Sequence, residues 1–412
     1  MKLSIQILLL CLSGLLAACA GTTGLSRLGD SAVNEDHRLL VTFADRSIAR
    51  NLQGNQQDNY QVVEQYRNSS WGGRKANELA DRHRLKLVIQ WPVTELGVSC
   101  VLYEVPEGRP LSQAIQALRQ DPSISTVQAL HRFEVLGQPP ALVSGNDPYR
   151  HLQAGFQALG IADLHPVTTG RGIRIALIDA GVDLDHPDLK GQIKYFENVA
   201  AEPADHNLAD IHGTAVAGVL AAHPGNGIGI TGIAPEAEIL AFRACWPSKP
   251  DALAAHCNSF TLALALNQAL KMDSRIINLS LSGPDDPLLR QLLEKALAKG
   301  TLVIAAVPKK GQVDGFPANL SGVIAVGEDS SGHPGIIAPG KDILTTVPHQ
   351  AYDFMTGSSF AAPHVAGVAA LLLQLHPEWR TADIMRLLRS GSNTLTAHLP
   401  KAAVAGKKPD GF

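Results

Sequence analysis

Residues 357–367 read Gly357-Ser358-Ser359-Phe360-Ala361-Ala362-Pro363-His364-Val365-Ala366-Gly367, and the apolar run Val368 to Leu375 follows, broken only by Gln374. Small residues feeding an apolar run predict a tight loop that opens a buried helix. A hydroxyl at such a junction faces the unpaired N–H groups of the first turn, and the helix dipole favours negative charge developing there. Glycine beside it permits close backbone approach. Pro363 is expected in the first turn, where a missing N–H costs little. Ser359 is therefore a candidate nucleophile, and the rest of the chain must supply a base and an acid to orient it.

Outward from this stretch the chain alternates. Apolar strands are expected at Ile173–Ile178, Ile239–Phe242, Ile276–Leu281, Leu302–Val307 and Val323–Val326, with helices over 212–222, 260–272, 286–299, 359–375 and 381–390. Unbroken β-rich runs between helices predict a doubly wound, mostly parallel sheet covered on both faces. In such α/β sheets the chemistry collects at the carboxyl ends of the strands. Asp179 ends one strand. His212 opens a helix of small residues, Gly213-Thr214-Ala215-Val216-Ala217-Gly218. With Ser359 they compose an acid, base and nucleophile: Ser359 attacks a carbonyl, His212 carries the proton, and Asp179 fixes the imidazole tautomer.

The stretches Ile178-Asp179-Ala180-Gly181-Val182-Asp183 and His212 to Gly218, with the opening stretch, resemble the three motifs of the subtilisin-like serine protease (subtilase) family, in the family's order. His186-Pro187-Asp188-Leu189 and Gly232-Ile233-Ala234-Pro235 resemble secondary signatures. The resemblance runs from about Gly172 to Leu388 and implies a serine endopeptidase working through an acyl-enzyme. It also implies that Ser280-Leu281-Ser282-Gly283 pairs with substrate backbone by β-augmentation, with Ala305 and Ala306 in the opposite pocket wall. The oxyanion hole would use the Ser359 backbone N–H and, in the family, an Asn side chain. Pro308 occupies that Asn position, and proline donates no hydrogen bond. Lys309, Lys310 and Gln312 are the nearby residues that could substitute. Ala180, Ser358 and Phe360 are milder departures that remove no catalytic atom. Pro308 also supports an alternative reading, a non-catalytic protein that binds peptides or a partner without cutting them.

Ahead of this region lies a second pattern. Leu39–Phe43, Leu85–Trp91, Val98–Val105 and Ile124–Val135 read as strands. Ala76, Leu79, Ala80 and His83 share one helical face, and Leu111, Ile115 and Leu118 another. The order is that of a small α+β ferredoxin-like domain. Residues 37–136 resemble the family's inhibitory propeptide, with residues 137–150 as a linker containing the processing point, residues 151–395 as the peptidase domain and residues 396–412 as a tail. The segment Leu136 to Asn146 would lie in the subsites.

The N-terminus carries Met1-Lys2 and the apolar run Ile5 to Leu16, too short to span a membrane and read as a signal peptide over residues 1–18. Leu16-Ala17-Ala18-Cys19 resembles a bacterial lipobox, which implies a lipid on Cys19, a tether over residues 19–36, and a cell-envelope location on the outer-membrane or periplasmic side. Of five cysteines, Cys11 leaves with the signal and Cys100 is expected as a buried thiol. Cys245 and Cys257 remain in one region, and an export context permits a disulfide that spacing alone does not fix.

Composition and motif order point away from several partners. Lys+Arg 35 against Asp+Glu 38 gives a net charge of -3, a balance that does not suggest a nucleic-acid partner. Gly227-Ile228-Gly229-Ile230-Thr231-Gly232 matches a dinucleotide fingerprint but follows a helix and precedes a strand, the reverse of the required order. His206, His212, His223 and His256 include no pair at helical ligand spacing with a third partner. The resemblance makes calcium conceivable, yet no carboxylate cluster identifies a site, so neither a metal nor another cofactor is expected.

Overall fold

The apolar runs that open most of the expected strands form the centre of a seven-stranded sheet. The computed structural model describes residues 37–45, 48, 70–135, 149–200, 209–249, 252–308, 315–328, 335–389 and 394–395, all within one compact unit. The signal, the lipobox with Cys19, the linker up to residue 148, the tail and Lys309 to Gln312 lie outside these residues.

The first described elements are β1 (Arg38–Ala44), α1 (Ser70–His83), β2 (Lys86–Val93), β3 (Val98–Glu104), α2 (Leu111–Arg119), β4 (Thr126–Ala129) and β5 (Arg132–Val135). The first four strands make an antiparallel sheet in the order β2-β3-β1-β4. Leu39, Val41, Phe43, Val101 and Tyr103 pack from this sheet against Ala76, Leu79, Ala114 and Leu118 of the two helices. Cys100 lies buried on β3 as a free thiol, and burial pushes its pKa up.

Here the structure corrects one expectation. Ile124–Val135 is not a single strand: after Ala129 the chain leaves the small sheet, and β5 joins another. Strand pairing with distant residues decides this, and no local periodicity reports it.

The following elements are β6 (Arg174–Asp179), β7 (Ile193–Asn198), α3 (Ile211–Ala221), β8 (Glu238–Arg243), β9 (Cys245–Pro247), β10 (Ala255–Asn258), α4 (Ser259–Lys271), β11 (Ile276–Leu279), β12 (Leu281–Ser282), α5 (Pro287–Ala298), β13 (Leu302–Ala306), β14 (Ile324–Gly327), β15 (Ile336–Ile337), β16 (Ile343–Val347), β17 (Ala351–Met355), α6 (Ser358–Leu375) and α7 (Thr381–Arg389). The large sheet runs β15-β14-β13-β11-β6-β8-β7, every pair parallel. After β6 the chain builds one side of the sheet with β7 and β8, then crosses to the other with β11. The switch point therefore lies between the carboxyl ends of β6 and β11, where a ligand crevice is expected. Asp179 sits at the first end and Ser280 just beyond the second.

Helix α6 is long and apolar enough to cross a membrane, yet 89% of its apolar window is buried, packed in the protein core. A helix that is apolar all round belongs in such a core. It begins at Ser358, so Pro363 is the sixth helical residue and not part of the first turn. Gly357 precedes it at φ 152° and ψ 158°, a conformation open essentially to glycine alone.

Candidate active site

Three element ends bring the residues expected as acid, base and nucleophile into one buried region. Asp179, His212 and Ser359 are each at most 1% exposed. The His212 Nδ1 donates to Asp179 Oδ1 over 2.7 Å, and the Ala180 amide donates to the same oxygen over 2.7 Å. The second carboxylate oxygen, Oδ2, is buried with no hydrogen-bond partner among the described residues. The His212 ring lies 5.4 Å from the ring of Phe360, the residue after Ser359. The Ser359 hydroxyl donates to the Ser280 carbonyl over 3.1 Å.

The loop after Asp179 and the helix that carries His212 are fastened together. Asp210 caps the start of α3 with extended backbone. Its carboxylate accepts from the Gly181 amide over 2.7 Å, and its own amide donates back to the Gly181 carbonyl over 3.3 Å. Arg243, the register partner of Asp179 on β8, donates through Nε to the same Asp210 oxygen over 3.1 Å, and both residues are buried. A Cβ on Gly213 would stand 2.5 Å from the carbonyl oxygens of Ala180 and Gly181, so only glycine lets α3 approach the loop after Asp179 this closely. Neither Asp210 nor Arg243 carried a sequence signal, because their partnership spans loops and strands far apart in the chain.

A second sheet lies beside this region, in the order β12-β5-β10-β9. Strand β5, from the N-terminal part of the chain, runs antiparallel between β12 and β10. Val135 and Glu134 pair with Leu281 and Ser282, while Glu134, Phe133 and Arg132 pair with His256, Cys257 and Asn258. The strand expected to bind extended substrate backbone is thus occupied by Arg132–Val135, ahead of the segment from Leu136 for which the role was expected. Phe133 is fully buried, its ring 6.3 Å from that of Phe316 and pressed on Gly283, where an added Cβ would come within 2.2 Å of it. Gly283 itself bridges to Phe316. Ala305 and Ala306 lie wholly buried on β13. The Cys245–Cys257 disulfide is formed, joining directly opposed residues of β9 and β10.

The N-terminal part also grips the helices α4 and α5. Trp91 meets Phe260 edge-on at 4.3 Å, and Glu95 pairs with Lys299 at 2.7 Å. Asp286 caps α5 by accepting from the amides of Leu288 and Leu289, both over 3.0 Å. It also accepts from Gln128 over 2.6 Å and from His131 over 3.2 Å. Burial alone would push its pKa up, but the donors from His131, Gln128, Leu289 and Ser259 outweigh burial and hold it below the ordinary carboxylate value.

Pro308 stands just past β13 and offers no donor. The Ser358 hydroxyl donates to the carbonyl before it, Val307 O, over 2.7 Å. The glycine-rich stretch 227–232 is a loop held by Asp188, whose carboxylate accepts from Asn226 over 2.7 Å and from the Ile230 amide and the Tyr352 hydroxyl, each over 2.9 Å. The protein itself thus supplies three donors to that carboxylate. Among the described residues no group of three or more His, Cys, Asp or Glu side chains has the arrangement to hold a metal ion.

This fold, with a histidine–carboxylate pair and a serine at the switch point, is that of a hydrolytic α/β enzyme. A family profile for the subtilases matches residues 170–406, and the chain belongs to that family. Subtilisin E of Bacillus subtilis is 32% identical over 303 residues, covering 69% of this chain and 74% of that protein. An intracellular serine protease of Paenibacillus polymyxa is 36% identical over 259 residues, covering 58% of this chain and 77% of that one. Among solved structures, fervidolysin from Fervidobacterium pennivorans, a keratinolytic enzyme related to subtilisin, shares the fold with a TM-score of 0.66 at 23% identity. That alignment covers 90% of this chain but 61% of fervidolysin, so this chain spans about three fifths of its length. The enzyme class is accordingly that of a subtilisin-like serine endopeptidase.

Proposed function

We propose that the chain is an exported endopeptidase made as a zymogen, in which Ser359 is the nucleophile, His212 the general base and Asp179 its orienting acid. With Nδ1–H donated to Asp179, the other imidazole nitrogen is the one that takes the serine proton and returns it to the leaving amine. The Ser359 N–H, at the start of α6, faces the developing oxyanion together with the helix dipole. Pro308 removes the usual second donor, which costs about 10²–10³ in turnover where such a donor is lost.

The observation that carries the zymogen reading is β5. An extended segment of the chain lies antiparallel on β12, the strand that would take substrate, and the residues assigned to chemistry are buried. Residues 37–135 then act as a tethered inhibitor whose last strand occupies the channel in the manner of a substrate. Self-cleavage falls after β5, within Leu136 to Asn146. The lipobox resemblance puts the lipid of Cys19 on the inhibitor side of that cut, so processing frees the peptidase from the membrane unless the two parts stay bound. Lipid and peptidase on one uncut chain in an active preparation contradict this order.

A fluorophosphonate probe tests the chemistry. Processed wild type is expected to label and Ser359→Ala to remain unlabelled, and Pro308→Asn is expected to raise turnover at least tenfold. Absence of labelling in folded, processed wild type favours the binding-protein reading. Unchanged turnover in Pro308→Asn means that another donor already fills the oxyanion hole.

A further inference from the structure

In an α-helix the N–H of each residue pairs with the carbonyl four positions earlier. Pro363 is inside α6 and has no N–H, so the carbonyl it leaves without a helical donor is that of Ser359. A buried carbonyl in that position requires another partner. The Ser280 hydroxyl supplies it, donating to Ser359 O over 2.8 Å. Ser280 is fully buried just beyond β11. Its Oγ in turn accepts from Asn278 Nδ2 over 3.0 Å, which leaves its proton directed at Ser359. The exchange is reciprocal, since the Ser359 hydroxyl donates to the Ser280 carbonyl.

We propose that Ser280 is a positioning residue for the nucleophile: its hydroxyl, oriented by Asn278, replaces the helix hydrogen bond that Pro363 removes and fixes the Ser359 peptide to the end of β11. This inference rests on the reading of Ser359 as nucleophile. The arrangement has a mechanical consequence. The next residues, Leu281 and Ser282, pair with extended backbone in the channel. The nucleophile is therefore referenced to the strand that holds the scissile chain, and not only to its own helix. A misplacement of about 1 Å at a reacting centre is enough to cost roughly 10²-fold in rate, so a single such tie matters for turnover more than for binding.

The test is a cycle on the full-length chain after processing, with active sites counted by burst titration so that kcat refers to folded enzyme. Ser280→Ala is expected to lower kcat ten- to hundredfold with KM for a peptide substrate within twofold, while Ser280→Thr, which keeps the hydroxyl, stays within threefold of wild type. Pro363→Ala restores an N–H to the helix. In the Ser280→Ala background it is expected to recover at least fivefold of the lost kcat, relative to the effect of Pro363→Ala alone. A purely structural role lowers the melting temperature of Ser280→Ala, leaves kcat per active site within twofold, and shows no such recovery; that result overturns the proposal. Should Ser280→Ala not fold, Asn278→Ala carries the test, because it keeps the Ser280 hydroxyl but removes its orienting donor. A three- to tenfold fall in kcat at constant KM supports the proposal, and an unchanged kcat overturns it. Ser359→Ala separates the two readings: retained turnover there sinks the nucleophile assignment, whereas an inactive Ser359→Ala beside a neutral Ser280→Ala sinks only this inference.

Discussion

Helix α6 carries, five residues beyond Ser359, a histidine that sets an acid limit on the fold. His364 is buried, its Nδ1 donating to the Phe360 carbonyl over 2.7 Å. A Cβ added to Gly155 would come within 2.4 Å of its Nε2, so the ring is walled in on that side. Burial pushes its pKa down to about 4, against a smaller upward pull from the Phe360 carbonyl. An unfolded histidine titrates near 6.5, so the folded chain resists a proton that the unfolded chain accepts over a gap of about 2.5 pH units, or about 3 kcal/mol. The sign follows for a base whose folded pKa is depressed. Its contribution is intact above about pH 6.5, declines as pH falls towards 4, and loses nothing further below that. Burial also pushes His165 and His186 down, which steepens the same window. A variant is therefore needed to isolate His364. Urea unfolding followed by circular dichroism, in a Ser359→Ala background that prevents self-digestion, compares pH 7 with pH 4. With His364→Gln the fall in stability between these values is expected to shrink by about 3 kcal/mol. Equal falls in the two proteins, within about 0.5 kcal/mol, would refute the argument that burial of this ring sets the acid limit.

Two further predictions concern the channel and the loop clamp. Gly283→Val places a side chain where the Phe133 ring rests, and burying a phenylalanine is worth about 1.5–3 kcal/mol. Peptides with Phe at the position matching Phe133 should therefore lose about ten- to hundredfold in kcat/KM against that variant, while peptides with Gly there should change little; equal losses for both would show that the ring does not occupy this floor. Arg243→Met removes the buried cation paired with the Asp210 carboxylate, and breaking such a pair costs about 3–5 kcal/mol. Chemical denaturation should show that loss and its partial recovery in Asp210→Asn/Arg243→Met; a double variant no more stable than Arg243→Met would mean that the charge pairing is not the cause.

Much of the peptidase region was legible because its signals are local. The parallel strands announce themselves as unbroken apolar runs, since helices cover both faces of the sheet. Helices expected over 212–222, 260–272 and 286–299 form at Ile211–Ala221, Ser259–Lys271 and Pro287–Ala298. Asn258 and Asp286 cap the second and third with side-chain oxygens, a signal carried by neighbouring residues. Asp179, His212 and Ser359 stand out for the same reason, each set in a short run of small residues at an element end.

Tertiary structure decided the rest. Residues 124–135 look like one strand, yet the register of β5 depends on β10 and β12, more than a hundred residues away. Pro363 looks like a first-turn residue until the helix start at Ser358 is known, and only then does the Ser359 carbonyl require Ser280. Asp210 and Arg243 meet only because β6 and β8 are neighbours in the sheet. The sequence by itself determined which elements form and which three residues carry the motifs, because periodicity, capping and small-residue spacing act between near neighbours. Where β5 pairs and what ties the Ser359 peptide to the end of β11 were decided by tertiary structure alone, because both depend on hydrogen bonds whose partners are joined only by the folded sheet.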